Sequence, residues 1–535
     1  MPKHKYKTSL FTKTSVNAVI LTGILSFLMY PFVVKGYHFP DMGFFVWFFV
    51  VPLVIGIHRH KFWHKFILCF LSGIIANYGI YYWLITAMQQ FGGLSFPMSF
   101  LCLTGQCIIL SLLFALFLSM ASWINHVTKI PLLILLPLFM TTRDVIAHYF
   151  PFNGFPWAIP PYALGEWLPF FQWIDHTGIY GLSFFIYLIN GLLAGGFLVF
   201  IHRRQVDKMV VRFVVVFVLI LLSLYLSFLS NQIYEQNKIT KRSLNIALIQ
   251  GNIAQDKKWN WVFAQDILNT YFKLTNKAVK DGAKLVIWPE TAYPFSGLSY
   301  PALFEETFLN KERLSTPMLI GAFVDETIQG EKHVFNSIIH IDTYARIRNL
   351  YRKTHLVPFG EYLPFKEYID SFFPSITRVV GELSAGKEYT LFNILDLKVG
   401  SLICFEDIFP EPARIFSAKG ADILVNYSND AWYGDSSAQH QHLVFSQFRA
   451  LENRRFLLRA TNTGLTAIIT PRGEIFDKLP PFTGSYLLHN IKIDHAQSFY
   501  TKHGSDWVFI ICGLGLLVFI YAIIKRLTGP VRLEF

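Results

Sequence analysis

Eight apolar blocks, seven before one long polar stretch and one after it, constrain this chain more than any other feature. A helix needs roughly 20 apolar residues to cross the hydrocarbon layer of a bilayer. A soluble chain would spread such residues at helix or strand periods instead. The blocks run approximately over 14–34, 43–57, 62–88, 96–124, 130–150, 178–201, 210–229 and 507–524. The second is short enough for a re-entrant segment, and the fourth is long enough to cross at a tilt. No small-x-small site follows the first, so it reads as an uncleaved anchor and not as a signal peptide. Composition agrees: of 535 residues 53% are hydrophobic and only 15% charged, against about 25% charged in an ordinary soluble protein.

Basic residues orient the blocks, because cytoplasmic loops retain Lys and Arg. Lys3, Lys5, Lys7 and Lys13 precede the first block, and Arg59, Lys61 and Lys65 join the second to the third. Lys129 joins the fourth to the fifth, Arg203, Arg204, Lys208 and Arg212 join the sixth to the seventh, and Lys525, Arg526 and Arg532 end the chain. The alternate connections 89–97 and 151–177 contain neither Lys nor Arg, and Lys35 is the one mild exception. An even count then places both termini in the cytoplasm and the polar stretch outside. The net charge of +12 is largely accounted for by this asymmetry, and no nucleic-acid motif accompanies it. Neither a paired cysteine framework nor a metal-ligand spacing occurs, so no disulfide, metal or organic cofactor is expected.

The resulting division is a transmembrane domain of about seven helices over 1–230, a polar domain over 231–505, and a final span with its tail over 506–535. The polar domain is long enough for one sizeable core. Strand-like runs at 244–249, 285–288, 318–323, 334–341, 347–351, 399–404, 423–426, 457–460 and 466–470 alternate with helical spacing at 261–280, 412–419 and 438–453. Such alternation predicts an α/β layered domain, in which reactive residues gather at strand ends.

Three residues stand at such ends. Cys404 is the one cysteine of the polar domain, since Cys69, Cys102, Cys107 and Cys512 lie in apolar blocks. Glu290 follows Trp288-Pro289, and Lys353 follows Tyr351-Arg352. A free thiol is mostly protonated at neutral pH and needs a base or a nearby cation. Glu290 is a candidate base, and Lys353 can stabilise a thiolate and then an oxyanion. Glu361, eight residues after Lys353, can orient the amine. Glu406 would point to the same side as Cys404 in an extended segment, or hold the loop by hydrogen bonds. His355 is a rival base, more simply read as a structural histidine. Singly, each residue has an ordinary reading: a buried small hydrophobe, a turn residue, a solvated amine. The order Glu, Lys, Cys at three strand ends is far more specific.

At these residues the chain resembles the nitrilase superfamily, and within it the membrane-bound apolipoprotein N-acyltransferases. The matching motifs are Gln250-Gly-Asn-Ile-Ala-Gln255 with Trp259, Trp288-Pro-Glu290, Tyr351 through Glu361, Ile403-Cys-Phe-Glu406, Asn429-Asp-Ala-Trp-Tyr433, Arg459-Ala-Thr-Asn-Thr-Gly464 and Gly154-Phe-Pro-Trp157. The resemblance implies an αββα sandwich beside about eight spans. It makes Glu290 the base, Lys353 the charge stabiliser and Cys404 the acylated nucleophile, with Glu361, Trp259, Glu406, Phe405 and Trp432 lining or supporting the pocket. Phe405 departs from the expected Tyr and removes a hydroxyl. The implied reaction takes the sn-1 acyl chain of a phospholipid, typically phosphatidylethanolamine, to the N-terminal amine of diacylglyceryl-cysteine in an apolipoprotein, on the outer face of a bacterial inner membrane. Apolar loops at 358–364 and 368–373 suggest a lipid-facing lid or ordinary core packing.

Two other readings compete. A membrane-tethered amidase or nitrilase would share the three residues, but tethering needs one span and not eight. A transporter with an outer binding domain would carry more intramembrane charge than the pair Arg143 and Asp144.

Overall fold

The computed structural model describes residues 9–34, 36–90, 92–203, 205–258, 260–295, 316–367, 382–494 and 496–528. Lys3, Lys5, Lys7, Lys35, Arg204 and Arg532 lie outside them. The chain forms two compact units, one of Met1–Tyr82, Pro97–Phe228 and Ser505–Phe535, the other of Trp83–Phe96 and Leu229–Gly504.

In the first unit the apolar blocks become helices of unequal length. Among the described residues, Phe96–Thr128, Ile179–Ile201, Val206–Asn237 and Trp507–Thr528 are long and apolar enough to cross a membrane, and Phe62–Tyr81 with Leu84–Gln90 makes a fifth if that broken pair is one span. Length and composition therefore give four or five spans where the sequence suggested eight. Two of the blocks hold helices shorter than a span needs. The second block breaks into a tight turn, Gly43–Trp47, and a short helix, Val51–Ile57, with Pro52 in its first turn. The fifth holds a 16-residue helix, Leu132–Ala147, with Pro137 inside. Arg143 Nη1 lies 2.7 Å from Asp144 Oδ1, and the Tyr187 hydroxyl donates to the same oxygen at 3.4 Å. The charges of Arg143 and Asp144 thus pair with each other.

The second unit is built on two six-stranded sheets. The first contains β1 (Thr240–Gln250), β2 (Leu285–Ile287), β3 (Met318–Ile328), β4 (Glu331–Ile341), β5 (Ile347–Arg352) and β12 (Ser485–Asp494), in the order β12-β1-β2-β3-β4-β5. The second contains β6 (Phe392–Ile394), β7 (Leu397–Ile403), β8 (Ile423–Ser428), β9 (Phe456–Thr461), β10 (Ala467–Ile469) and β11 (Ile475–Lys478), in the order β11-β10-β9-β8-β7-β6. Each sheet has three parallel strands at its centre, β1-β2-β3 and β7-β8-β9, continued by antiparallel neighbours. The central strands carry continuous apolar runs such as Leu285–Ile287 and Ile423–Val425, as strands covered on both faces do. β7 pairs in register with β8 from Val399 opposite Ile423 to Ile403 opposite Tyr427.

One core joins inward residues of both sheets, among them Ile246, Leu285 and Ile338 from the first and Val399, Leu402 and Val425 from the second. A second core lies between the first sheet and helix Ala264–Lys280, through Ile267, Leu268, Tyr271 and Phe272. Helices Pro410–Ala418 and Ser437–Asn453 contribute Phe416, Leu443 and Ala450 to the first core. The unit is the layered α/β domain expected from the alternation, in the helix–sheet–sheet–helix order that the resemblance implied. β6, β11 and β12 were not expected: the first two are short, and β12 mixes polar and apolar residues. Trp83 and helix Leu84–Gln90 belong to this unit, and the Trp83 ring meets Tyr433 edge to face with centroids 4.9 Å apart.

Candidate active site

The turns after β2, β5 and β7 bring Glu290, Lys353 and Cys404 together. Trp288 fixes the first turn by stacking on Tyr271 at 4.8 Å and donating its indole N–H to Thr275 at 2.8 Å. The chain then reverses at Thr291, whose φ of 47° is left-handed. Gly321 on β3 lets the turn settle, because a Cβ there would lie 2.3 Å from Pro289 O and 2.7 Å from Glu290 Cα. The Glu290 carboxylate accepts from Asn336 Nδ2 at 2.8 Å and from the Asn429 main-chain N–H at 2.9 Å.

Lys353 leaves β5 with its own N–H bonded to Asn336 O at 2.8 Å. Its Nζ lies 2.9 Å from Glu361 and 3.8 Å from Glu290, and the residue is 1% exposed. Burial pushes the amine down, but Glu361 and Glu290 more than reverse this and hold it well above the usual lysine range. Glu361 is itself held by the Val357 N–H at 2.8 Å and Asn336 Nδ2 at 3.0 Å.

Cys404 has a φ of 51°, rare for a side chain with a Cβ and costing of order 1–3 kcal/mol. Its carbonyl is held by Asn426 Nδ2 at 3.1 Å and lies 3.2 Å from His442 Nε2. Behind it is a fully buried charge network. His442 sits between Asp407 at 3.0 Å and Asp430 at 3.1 Å, and Arg459 reaches Asp430 at 2.8 Å and Asn426 at 2.7 Å. Burial and Arg459 push the imidazole down, yet Asp407 and Asp430 raise it above its ordinary value, so both ring nitrogens donate. Burial pushes the Cys404 thiol well above its usual range, Glu290 pushes the same way, and Lys353 offsets this only in part. The resting thiol is therefore protonated.

One expectation is corrected. Glu406 does not run beside Cys404 in an extended segment, because Cys404–Ile408 is a turn of 3-10 helix. Its carboxylate folds back to the Ile403 N–H at 2.7 Å and also accepts from Thr354 N–H at 2.7 Å and from the Tyr351 hydroxyl at 2.8 Å. It ties the nucleophile's turn to the Lys353 turn. Phe405 is buried, with His355 and Phe409 rings at 6.0 and 5.4 Å. The His355 ring lies against Phe409 at 3.7 Å, as a structural histidine would. Trp432 is exposed. In the loop 358–364 Phe359 is exposed and Pro364 is buried, and Phe365 just beyond it is exposed. Trp259 and the apolar segment 368–373 lie outside the described residues.

Sequence reasoning missed Asn336, Lys258 and the His442 network. Asn429 and Arg459 did lie in motifs singled out above, but their partners are far away in sequence. Lys258 Nζ donates to the main-chain carbonyl of Glu290 at 3.1 Å.

Two family models match the chain. Residues 22–192 match the family model described as the apolipoprotein N-acyltransferase N-terminal domain, and 245–500 match carbon-nitrogen hydrolase. The apolipoprotein N-acyltransferase of Geobacter metallireducens is 32% identical over 489 residues, covering 91% of each chain. That of Borreliella burgdorferi is 30% identical over 525 residues, covering 93% of each. The crystal structure of Saccharomyces cerevisiae Nit3, a member of branch 10 of the nitrilase superfamily, aligns over 47% of this chain and 90% of that one, with a TM-score of 0.35 and 18% identity.

Proposed function

This chain belongs to the apolipoprotein N-acyltransferase family, and from that premise we propose that it transfers the sn-1 acyl chain of a phospholipid, phosphatidylethanolamine first among donors, to the α-amino group of the diacylglyceryl-cysteine that begins an apolipoprotein. The reaction runs through a thioester on Cys404, with Glu290 as base and Lys353 as charge stabiliser. The observation that supports it best is the buried, protonated Cys404 thiol, subject to the charges of Glu290 and Lys353. Such a thiol is inert until a carbonyl arrives and a base takes its proton.

In the first half-reaction Glu290 accepts the thiol proton as sulfur attacks the ester carbonyl. The oxyanion forms beside the Lys353 ammonium. Collapse breaks the carbon–oxygen bond to glycerol, and the proton on Glu290 passes to the departing oxygen, releasing a lysophospholipid. In the second, the neutral α-amine attacks the thioester and gives its proton to Glu290. The carbon–sulfur bond breaks, and sulfur recovers the proton. Phe405, Trp432 and the exposed Phe359 and Phe365 belong to the acyl-binding surroundings in this reading, with Trp259 and Glu361 supporting the pocket.

Both substrates are lipids, so the apolar helices have a direct use. We assign eight membrane crossings in a bacterial inner membrane, cytoplasmic termini, the domains 1–230, 231–505 and 506–535, and catalysis on the periplasmic side. Loss of acylation in Cys404→Ala and Glu290→Gln is expected. The test is intact mass spectrometry of the full chain with phosphatidylethanolamine and no acceptor. A hydroxylamine-labile gain of one acyl chain, absent in Cys404→Ala, supports the thioester. Lysophospholipid released without an adduct favours hydrolysis, and neither product refutes this donor.

A further inference from the structure

The helical turn Gln255–Lys258, which follows β1, holds Glu290 at both ends. Lys258 is 3% exposed and donates to the Glu290 main-chain carbonyl at 3.1 Å. Three residues earlier, Gln255 Oε1 accepts from Asn429 Nδ2 at 2.8 Å, and the Asn429 N–H donates to Glu290 Oε2 at 2.9 Å. We propose that Lys258 is a positioning residue for Glu290: its buried amine, donating to the Glu290 main-chain carbonyl, fixes the turn that presents the carboxylate to Cys404. This rests on the reading of Glu290 as the base for Cys404.

Burial pushes the Lys258 amine down to about 7, against the opposing charges of Glu290 and Cys404, which stand on the turns after β2 and β7. In either protonation state the amine keeps an N–H for the Glu290 carbonyl.

The test is alkylation of Cys404 by iodoacetamide in the full chain in detergent, read by peptide mass spectrometry from pH 5.5 to 8.5. This probe carries no acyl chain, so the result does not depend on the donor. Lys258→Arg keeps an N–H donor and Lys258→Met removes it. Lys258→Met should alkylate at least tenfold more slowly than the unsubstituted chain, and Lys258→Arg should stay within threefold of it. Alkylation of Lys258→Met at the unsubstituted rate overturns the proposal. If Lys258→Met does not fold, Lys258→Gln, whose shorter side chain does not reach the carbonyl, replaces it with the same expected and overturning results. Wild-type alkylation in Glu290→Gln overturns the base reading instead. Normal alkylation without acylation by phosphatidylethanolamine overturns only the donor.

Discussion

Glu406→Gln tests the link between the nucleophile's turn and the Lys353 turn. Oε1 accepts from the Thr354 N–H at 2.7 Å, the Thr354 and Tyr351 hydroxyls at 2.8 Å each, and the His355 N–H at 3.1 Å. Oε2 accepts from the Ile403 N–H at 2.7 Å. A glutamine has one acceptor oxygen, which the side with four donors will take. Its amide nitrogen then faces the Ile403 N–H, donor against donor, and an orphaned buried donor costs about 1–3 kcal/mol. Loss of charge weakens the four remaining bonds by about 1 kcal/mol each. Removing a buried charge offsets part of this. Burial already pushes the Glu406 carboxyl above its usual range despite the Ile403 bond and the Lys353 charge, and relief of that desolvation is worth roughly 3 kcal/mol. The net loss is about 3 kcal/mol, or roughly 100-fold in a local equilibrium. It should appear as faster amide exchange at Ile403, Thr354 and His355, measured by mass spectrometry on the full chain in detergent. Exchange along the β3–β4 ladder should not change. Unaltered protection at all three amides, or an equal loss in β3–β4, would refute the reasoning.

Gly321→Ala should push the Glu290 turn away from β3, since the new Cβ would meet main-chain atoms at 2.3 to 2.7 Å. A displacement of ~1 Å should slow Cys404 acylation by roughly 100-fold while the chain still folds, and a normal single-turnover rate would show that the turn can yield. Arg459→Met leaves Asp430 and Asp407 with His442 as their remaining buried cation, so unfolding should become easier by about 3–5 kcal/mol, seen as a lowered thermal midpoint in detergent. Asp430 also gives a pH dependence: burial would raise its carboxyl, but Arg459 and His442 hold it well below its ordinary 3.8. The unfolded chain therefore binds the extra proton as pH falls through 3.8, so this contribution is complete above that pH and lost below it. Acid unfolding followed by tryptophan fluorescence should show a shallower loss in Asp430→Asn, and an unchanged acid limb would remove Asp430 from the account.

Glu290 and Cys404 were legible because each stands at the end of an apolar run, which a buried parallel strand leaves in sequence, whereas Lys353 follows the mixed, antiparallel β5 and was legible from the motif around it. Cys404 was legible as a strand end, but not as a left-handed residue. That φ turns the chain into a 3-10 helix and made the extended reading of Glu406 fail. The hydrogen-bond partners were not legible. Asn336, Asn429, His442 and Lys258 meet the site through the pairing of two sheets, and no local pattern records a contact between residues 174 apart, as for Gln255 and Asn429. The count of eight spans rests on hydropathy, which registers apolar length, whereas four or five helices among the described residues are both long and apolar enough to cross.

The catalytic unit is discontinuous: Trp83–Phe96 belongs with Leu229–Gly504. A ribosome makes the first piece well ahead of the second. At 5–20 residues per second, Trp83 waits roughly 20 to 70 seconds before Tyr433 exists for it to meet. Residues 97–228, made in between, belong to the other unit, so the two pieces meet only after that stretch is complete. It follows that a secreted fragment beginning at Leu229 would lack a piece of its own fold, and that supplying residues 83–96 separately is the complementation to attempt.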